Sequence, residues 1–309
     1  LHPVLSLILG LVLAGFGGEM FVRGIVGVAQ WARIPAGVIG ATVAAFATSS
    51  PELSVSINAS LAGAPQIALG DALGSNVVNI GLVLGLALLF GPIQDRGKLA
   101  RREFPFALLA PAATFVLLLD GSLSRTDGAI MMASFIGWVI VSARQALRER
   151  HAAEQLFAEE HSGKAGLISI VGLLLLILAG TQIVIGAKFV GELLGWTPFV
   201  VGATLVAIGT SIPELATTII SRTRGHDEVG LGTVLGSNLF NGLFIVSIAA
   251  LIHPIEVRLQ TVMVGLFFGL LTVALAIPNR SGRVVRSRGF VLLGVYAVYV
   301  VMLLRGQSG

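Results

Sequence analysis

Two glutamates, Glu52 and Glu214, sit in the middle of apolar runs, each directly after a proline and four residues after a threonine. A carboxylate held inside a bilayer is costly, so its presence there points to function. Pro51 and Pro213 have no backbone N–H and disrupt a helix one turn back. Carbonyls around Ala45 and Thr48, and around Ala207 and Thr210, are therefore expected to be released as ligands. Irregular backbone of this kind is tolerated in a membrane only inside protein or along a water-filled cavity. Thr48, Ser49, Thr210 and Ser211 add hydroxyl oxygens near the same breaks. Ser75 with Asn79, and Ser237 with Asn241, are spaced i and i+4 and share a helix face. Together these residues form an all-oxygen set with two formal negative charges, without sulfur or imidazole. Such a set suits a hard cation. Ca²⁺ takes about 6–8 oxygens in a flexible geometry, whereas Mg²⁺ demands a rigid octahedron. Na⁺, similar in size to Ca²⁺, fits parts of the same cluster.

The elements that must hold these residues are membrane spans. Of 309 residues, 55% are apolar and 12% charged, the mean hydropathy is +0.92, and there is no cysteine. Soluble domains carry about twice that density of charge. The composition excludes a soluble globular domain, a disordered chain and a disulfide scaffold. A span needs about 20 mostly apolar residues. Ten such runs lie near 4–30, 37–62, 66–91, 103–120, 127–147, 166–191, 198–221, 229–252, 259–277 and 289–304. The first is too long for a cleaved signal peptide and is interrupted by Glu19 and Arg23. Fifteen of the 20 basic residues fall in alternate loops, including Arg33, Arg96, Lys98, Lys164, Arg222, Arg224 and Arg283. The opposite loops hold Arg125, Arg258 and Arg305. This bias places both termini outside and the loop near 148–165 in the cytoplasm. It also accounts for the net charge of +4 without invoking nucleic acid.

A repeat organises the spans. Residues 40–79 laid over 202–241, at an offset of 162 without gaps, are identical at 18 of 40 positions. Gly40-Ala41-Thr42 and Thr48-Ser49-Ser50-Pro51-Glu52-Leu53 align with Gly202-Ala203-Thr204 and Thr210-Ser211-Ile212-Pro213-Glu214-Leu215. Leu73-Gly74-Ser75-Asn76 and Asn79 align with Leu235-Gly236-Ser237-Asn238 and Asn241. Each half carries an odd number of spans, so the second must enter the membrane from the opposite side, an arrangement that puts a binding site at the midplane. The expected fold is an all-α membrane protein of ten transmembrane helices in two inverted five-helix repeats. The first repeat covers 1–150, a cytoplasmic linker 151–165, and the second repeat 166–309.

Other polar residues read differently. Asp71 lies one turn before Ser75, but its mate is Thr233; it is open between a cation-attracting vestibule group and a span-end residue. Glu19 and Arg23, at i and i+4, form a neutralising pair. Lys188, Glu192 and Asp120 lie near span ends, where snorkelling explains them. The five histidines form no cluster. Ser and Asn at helical spacing also serve as interhelical glue, and Gly265–Gly269 is a packing motif of the same kind. No lysine stands in a GK[ST] motif, and no HExxH or GxSxG occurs, so neither ATP coupling nor an enzyme is expected. No EF-hand loop is present, so a calcium site must be assembled from distant segments.

The two blocks resemble the α-repeats of the sodium/calcium exchanger family, within the calcium/cation antiporter superfamily. Gly209-Thr210-Ser211-Ile212-Pro213-Glu214, and Gly236-Ser237-Asn238 with Asn241, carry the likeness, and the first repeat carries it again. The resemblance covers nearly the whole chain and implies a Na⁺-driven Ca²⁺ antiporter of the prokaryotic type. It implies Ca²⁺ binding by Glu52 and Glu214 with the backbone oxygens of Thr48 and Thr210. Na⁺ sites would be shared among Ala45, Ser49, Ser75, Asn79 and Glu52 and their mates Ala207, Ser211, Ser237, Asn241 and Glu214. About three Na⁺ would exchange for one Ca²⁺ by alternating access, with the first and sixth spans as gating helices. The sequence departs from the family pattern at Ala47, where Gly209 shows the usual residue, and at Asn241, where some members carry aspartate. The missing charge at 241 argues against K⁺ coupling. The alternatives are a Ca²⁺/H⁺ antiporter using the same carboxylates and, less closely, a cation channel. No cofactor is expected; the ions are cargo, the bilayer is the partner, ATP and nucleic acid have no role, and the chain is expected to act as a monomer in the inner (plasma) membrane.

Overall fold

The computed structural model describes residues 3–305 except 33, 35, 96–98, 154–161, 197 and 258. Arg33, Arg96, Lys98, Arg258, Glu154, Glu159 and Glu160 lie outside the described residues, and so does most of the linker expected at 151–165. The side chains of Lys188 and Glu192 lie outside them too.

Each of the ten apolar runs is helical. We label them α1 (Pro3–Ala32), α2 (36–61), α3 (Pro65–Leu89), α4 (Leu99–Leu117), α5 (Arg125–Ala153), α6 (Ser162–Leu194), α7 (198–223), α8 (Asp227–Ile252), α9 (Leu259–Ala276) and α10 (Arg286–Arg305). Four described helices are long and apolar enough to cross a membrane as unbroken spans: Pro65–Leu89, Arg125–Arg144, Asp227–Ile252 and Arg286–Arg305. Gly202–Thr210 and Ile212–Thr223 make a fifth only as a pair bent by 50°. The ten expected spans are thus not ten uniform rods. The two runs that carry the glutamates are the broken ones, at Ser49 and Ser211, as the prolines at 51 and 213 lead one to expect.

The breaks are duplicated. In α2 the chain passes through a π-helical turn at Gly40–Ala44, then Ala45–Thr48, then Ser50–Leu61. In α7 the same order runs through Gly202–Val206, Ala207–Thr210 and Ile212–Thr223. The hinge residues take the same non-helical conformation, with φ −82° and ψ 9° at Ser49 and φ −81° and ψ 9° at Ser211. Further π-helical turns, Val78–Leu84 in α3 and Phe240–Ile245 in α8, contain Asn79 and Asn241. Such turns widen the hydrogen-bond ladder and recur at functional sites.

Packing across the halves is reciprocal. A Cβ on Gly74 would lie 2.6 Å from the Ala203 carbonyl oxygen, and one on Gly236 would lie 2.2 Å from that of Ala41. Ala41 and Ala203 are themselves mates at the offset of 162. Only glycine lets α3 sit on α7, and α8 on α2, at this distance. The loops obey the same relation. Strands β1 (Ile93–Gln94) and β4 (Arg283–Val284) pair antiparallel, as do β2 (Ser122–Leu123) and β3 (Ile255–Glu256). Each ribbon joins a loop of one half to a loop of the other, in the exchanged pairing that a two-fold relation produces.

The buried apolar core falls into separate bodies. The largest runs from Ala45 and Leu69 through Trp138, Phe240 and Tyr299, and among the described residues it includes none from α1 or α6. Phe21, Ile25 and Ala29 of α1 instead cluster with Leu176 of α6, Ile39, Ala44 and Val229. These two helices meet on glycine: a Cβ on Gly24 would stand 2.4 Å from the Ser169 backbone nitrogen, and one on Gly172 would stand 2.4 Å from that of Phe21. Their outer faces carry exposed Leu5, Ile8, Val12, Phe16, Leu167, Ile170, Leu174 and Leu178. An apolar exterior on this scale is the surface of a protein whose solvent is lipid.

Candidate cation-binding site

The broken helices aim their hinge residues at the opposite half. Ser49 Oγ donates to Glu214 Oε1 at 3.3 Å, and Ser211 Oγ donates to Glu52 Oε1 at 3.4 Å. These are mirror contacts between mates. Ser237 Oγ adds a 2.9 Å hydrogen bond to Glu214 Oε1. Thr48 Oγ1 lies 3.5 Å from Ser237 Oγ, and Ser75 Oγ lies 3.5 Å from Thr210 Oγ1, a second exchanged pair. Asn79 Nδ2 donates to Asn238 Oδ1 at 3.2 Å, and Asn238 Nδ2 donates to the Asn76 carbonyl at 3.2 Å. All ten polar residues expected at the site are buried: Thr48, Ser49, Glu52, Ser75, Asn79, Thr210, Ser211, Glu214, Ser237 and Asn241. Ala45 and Ala207 are buried beside them.

The donor set leaves oxygens over. Glu52 Oε2, Glu214 Oε2, Asn79 Oδ1 and both amide atoms of Asn241 have no hydrogen-bond partner. In folded proteins most buried polar atoms are paired; here hydroxyls further along α2 and α7, at Ser56, Ser60, Thr217, Thr218 and Ser221, are unpaired as well. Carboxylate and amide oxygens left bare inside a protein suit a hard cation. No protein cation supplies the compensation, since among the described residues no buried lysine, arginine or histidine occurs. Glu103, another buried carboxylate, is by contrast accounted for: it pairs with Arg102 and accepts a 2.9 Å hydrogen bond from Trp138 Nε1.

The released carbonyls need correction. The Ala45 and Ala207 carbonyls accept the amides of Ser49 and Ser211 at 3.0 and 3.1 Å, and each also accepts a threonine hydroxyl at 3.3 Å. The residue at the hinge keeps its amide on the ladder, so the proline does not strip these two carbonyls bare. Both glutamates have no solvent exposure. Two surface concavities, one lined by Asp120, Ser122 and Glu256 and the other by Phe104, Leu108 and Asn279 among others, lie at loops and do not reach them.

Asp71, open in the sequence between a vestibule group and a span-end residue, is placed by its contacts. It is fully buried and Thr210 Oγ1 donates to its Oδ1 at 3.2 Å, so it belongs to the site's surroundings and not to a span end. The signal was its phase, one turn before Ser75 and two before Asn79; the lack of an acidic mate obscured it. Glu19 pairs with Arg23 as its spacing indicates, and with Arg224 as well. Ala47 packs against the α1–α6 cluster.

Buried carboxylates without basic partners, in a helical chain with an apolar exterior, define the class as a polytopic membrane transporter of cations. The chain belongs to the sodium/calcium exchanger family: the model described as "Sodium/calcium exchanger protein" matches residues 2–144 and 164–305. It is 32% identical over 317 residues to the putative antiporter CaxA of Alkalimonas amylolytica, covering 98% of this chain and 99% of that one. It is 34% identical over 316 residues to the inner membrane protein YrbG of Escherichia coli K12, covering 96% and 95%. Among solved structures, the sodium-calcium exchanger NCX_Mj soaked with Na⁺ and Ca²⁺ superposes with a TM-score of 0.80 at 30% identity, over 97% of this chain and 98% of that one.

Proposed function

We propose that the protein is a secondary-active antiporter that exchanges Na⁺ for Ca²⁺ at a site between two inverted repeats. The observation that carries this reading is the reciprocal pair of Ser49 with Glu214 and Ser211 with Glu52, closed around carboxylate oxygens that have no basic partner. Glu52 and Glu214 bind Ca²⁺ with oxygens of Thr48 and Thr210. Na⁺ occupies overlapping positions among Ser49, Ser75, Asn79, Ser211, Ser237 and Asn241, and the Ala45 and Ala207 carbonyls join them when the threonine hydroxyls that they accept turn away. Overlap makes the two ions exclusive, and exclusivity is what couples exchange: the same carboxylates are neutralised by one cargo or the other.

Ten spans, five in residues 1–150 and five in 166–309 with 151–165 between them, are supported by the helical runs and by the ribbons. β1 and β4 both lie in loops expected inside, and β2 and β3 both lie in loops expected outside. Both termini then face outside, in a plasma membrane that for a bacterial cell is the inner membrane. The separate α1–α6 body is the moving part, sliding over the repeat core as access alternates.

Proteoliposomes loaded with Na⁺ and diluted into Na⁺-free buffer test the reading. Radiolabelled Ca²⁺ should enter in proportion to the outward Na⁺ gradient. Uptake that ignores Na⁺ and follows a pH gradient would replace Na⁺ with H⁺ as the coupling ion. Single-channel currents in a planar bilayer would overturn the antiporter altogether.

A further inference from the structure

Past each proline the helix turns a polar side inward. In Ser50–Leu61 the buried residues, among those described, are Glu52, Ser56 and Ser60, at i, i+4 and i+8. In Ile212–Thr223, beyond Ile212 and Pro213 at its start, they are Glu214, Thr217, Thr218 and Ser221, at i, i+3, i+4 and i+7. These spacings put each row of hydroxyls on the face of its glutamate. The apolar residues between them, Leu53 and Ile57 in one helix and Leu215 and Ile219 in the other, are the less buried ones.

Polar residues between membrane helices ordinarily bond to a neighbouring helix or back onto their own. Buried hydroxyls elsewhere in this chain do so: Thr114 donates to the Ala110 carbonyl at 3.0 Å, Thr233 to that of Val229 at 2.9 Å and Thr272 to that of Phe268 at 2.8 Å. The hydroxyls of Ser56, Ser60, Thr217, Thr218 and Ser221 have no partner, and all five residues are at most 1% exposed. Among the described residues, the other buried hydroxyls in this condition are those of Ser142 and Tyr296. A buried hydroxyl left unpaired is costly, and here five are gathered on two half-helices, each row in line with a glutamate. The halves repeat the feature without copying every residue. Ser56 and Thr218 are mates at the offset of 162, whereas the mates of Ser60 and Ser221 are Arg222 and Ala59.

We propose that these two rows are the routes by which a cation reaches and leaves the paired glutamates, one row serving each face of the membrane. The proposal rests on the reading of Glu52 and Glu214 as cation ligands. A hydroxyl oxygen with no protein partner can replace one water of an ion's hydration shell. Repeated at one helical turn, about 5.4 Å, such oxygens pass the ion along in steps, and being neutral they solvate it without trapping it. The rows lead opposite ways. That of α2 runs from Glu52 toward the loop at 62–64, beyond which Gln66 bonds to Glu256 of β3. That of α7 runs from Glu214 toward Arg222, whose partner Asp227 accepts the Gln94 amide of β1. In this structure α8 covers the α7 row: a Cβ on Gly230 would lie 3.2 Å from the Thr218 backbone and 3.3 Å from Ser221 Cβ. Alternating access uncovers one row at a time.

The chain has no cysteine, so each row can be probed in the full-length protein, in membrane vesicles of known orientation. The probe is methanethiosulfonate ethyltrimethylammonium, a cationic thiol reagent that does not cross the bilayer. With Na⁺ and Ca²⁺ supplied on opposite sides, Ser56→Cys and Ser60→Cys should react from one face, and Thr218→Cys and Ser221→Cys from the other. Each should react at least about ten-fold faster than Thr272→Cys, which is reached only by local opening. Labelling of both rows from the same face, or no faster than Thr272→Cys, overturns the proposal. Removing the hydroxyls tests the oxygens themselves: Ser56→Ala with Ser60→Ala, and Thr217→Val and Thr218→Val with Ser221→Ala. Either set should slow exchange in proteoliposomes about ten-fold, with equilibrium Ca²⁺ binding kept within about two-fold. The unfolding temperature should not fall, because unpaired buried groups have been removed. Unaltered exchange in both sets overturns the proposal, and so does a lowered unfolding temperature in both, which would make the rows part of the fold. The labelling pattern does not depend on which ions are coupled. Rows that label from opposite faces in a protein without Na⁺-driven Ca²⁺ uptake would leave the routes standing and remove the antiporter reading.

Discussion

Ser49 and Ser211 each donate one hydroxyl to the glutamate of the other half, over distances that differ by only 0.1 Å, 3.3 against 3.4 Å. Removing either hydroxyl should therefore weaken Ca²⁺ binding alike: Ser49→Ala and Ser211→Ala are each expected to cost about 1 kcal/mol, or about five-fold in affinity. Isothermal titration of the two variants checks the equivalence. The glutamates matter more. Glu52→Gln or Glu214→Gln halves the charge offered to a divalent ion, a loss of about 3 kcal/mol or more and so of about 100-fold in affinity. Both variants should unfold at or above the wild-type temperature in detergent, because a buried uncompensated charge has been removed. A variant that unfolds early and still exchanges Ca²⁺ would contradict both halves of that argument. The polar residues of this site were legible because each appears twice, at matching places in a gapless repeat. Asp71 was not, because duplication is silent about a residue that only one half carries.

The broken helices and the α1–α6 pair follow different rules. In α2 and α7 the hinge serine and the following proline interrupt a helix whose first half is anchored, Ala41 against Gly236 and Ala203 against Gly74. Between α1 and α6 the absence of side chains brings backbone onto backbone and holds the two helices as one unit. A bulky substitution there should force the pair apart, impair the motion proposed for it and spare the site. Gly24→Leu places its Cβ where Ser169 backbone already lies, 2.4 Å away, and Gly172→Leu does the same against Phe21. Both are expected to lower exchange in proteoliposomes more than ten-fold, as close-packed helices have no room for the added groups, with equilibrium Ca²⁺ binding nearly kept. Gly137→Leu on α5, where nothing lies within 4 Å, is the matched control and should leave exchange unaltered. Equal losses at Gly137 would show that the bulk of leucine, and not its place, is responsible. The proline-linked breaks were visible in the sequence. The π-helical turns were not, because their register depends on what packs against the chain.

Among the described residues, loops bond to loops expected on the same side. Besides the two ribbons, Gln66 Nε2 donates to the Glu256 carbonyl and the Gln94 amide donates to Asp227, again without crossing from one face to the other. This sorting groups Arg283 with Gln94 on one face and Ser122 with Glu256 on the other, and the basic-residue bias proposes the first as the inner face. The chain has no cysteine, so single cysteines report sidedness cleanly. In intact cells a membrane-impermeant maleimide should label Thr126→Cys, exposed at the start of α5, and spare Ser281→Cys, exposed beside β4. Labelling of Ser281→Cys alone would invert the orientation and the direction in which each half opens.

Periodicity, charge bias and a repeat at one fixed offset were enough to establish a membrane protein, where its helical runs lie, which polar residues are duplicated and which family the chain resembles. These are properties of composition and local order, and they survive without coordinates. Tertiary structure decided the rest. Only packing could show that each hinge serine reaches the glutamate of the other half, that the Ala45 and Ala207 carbonyls stay on the helical ladder, and that α1 and α6 meet through glycine, backbone on backbone. It also placed Asp71, open in the sequence between a vestibule group and a span end, against Thr210. Those facts depend on distances between segments some 160 residues apart in sequence, and no one-dimensional pattern encodes such distances until the chain has folded.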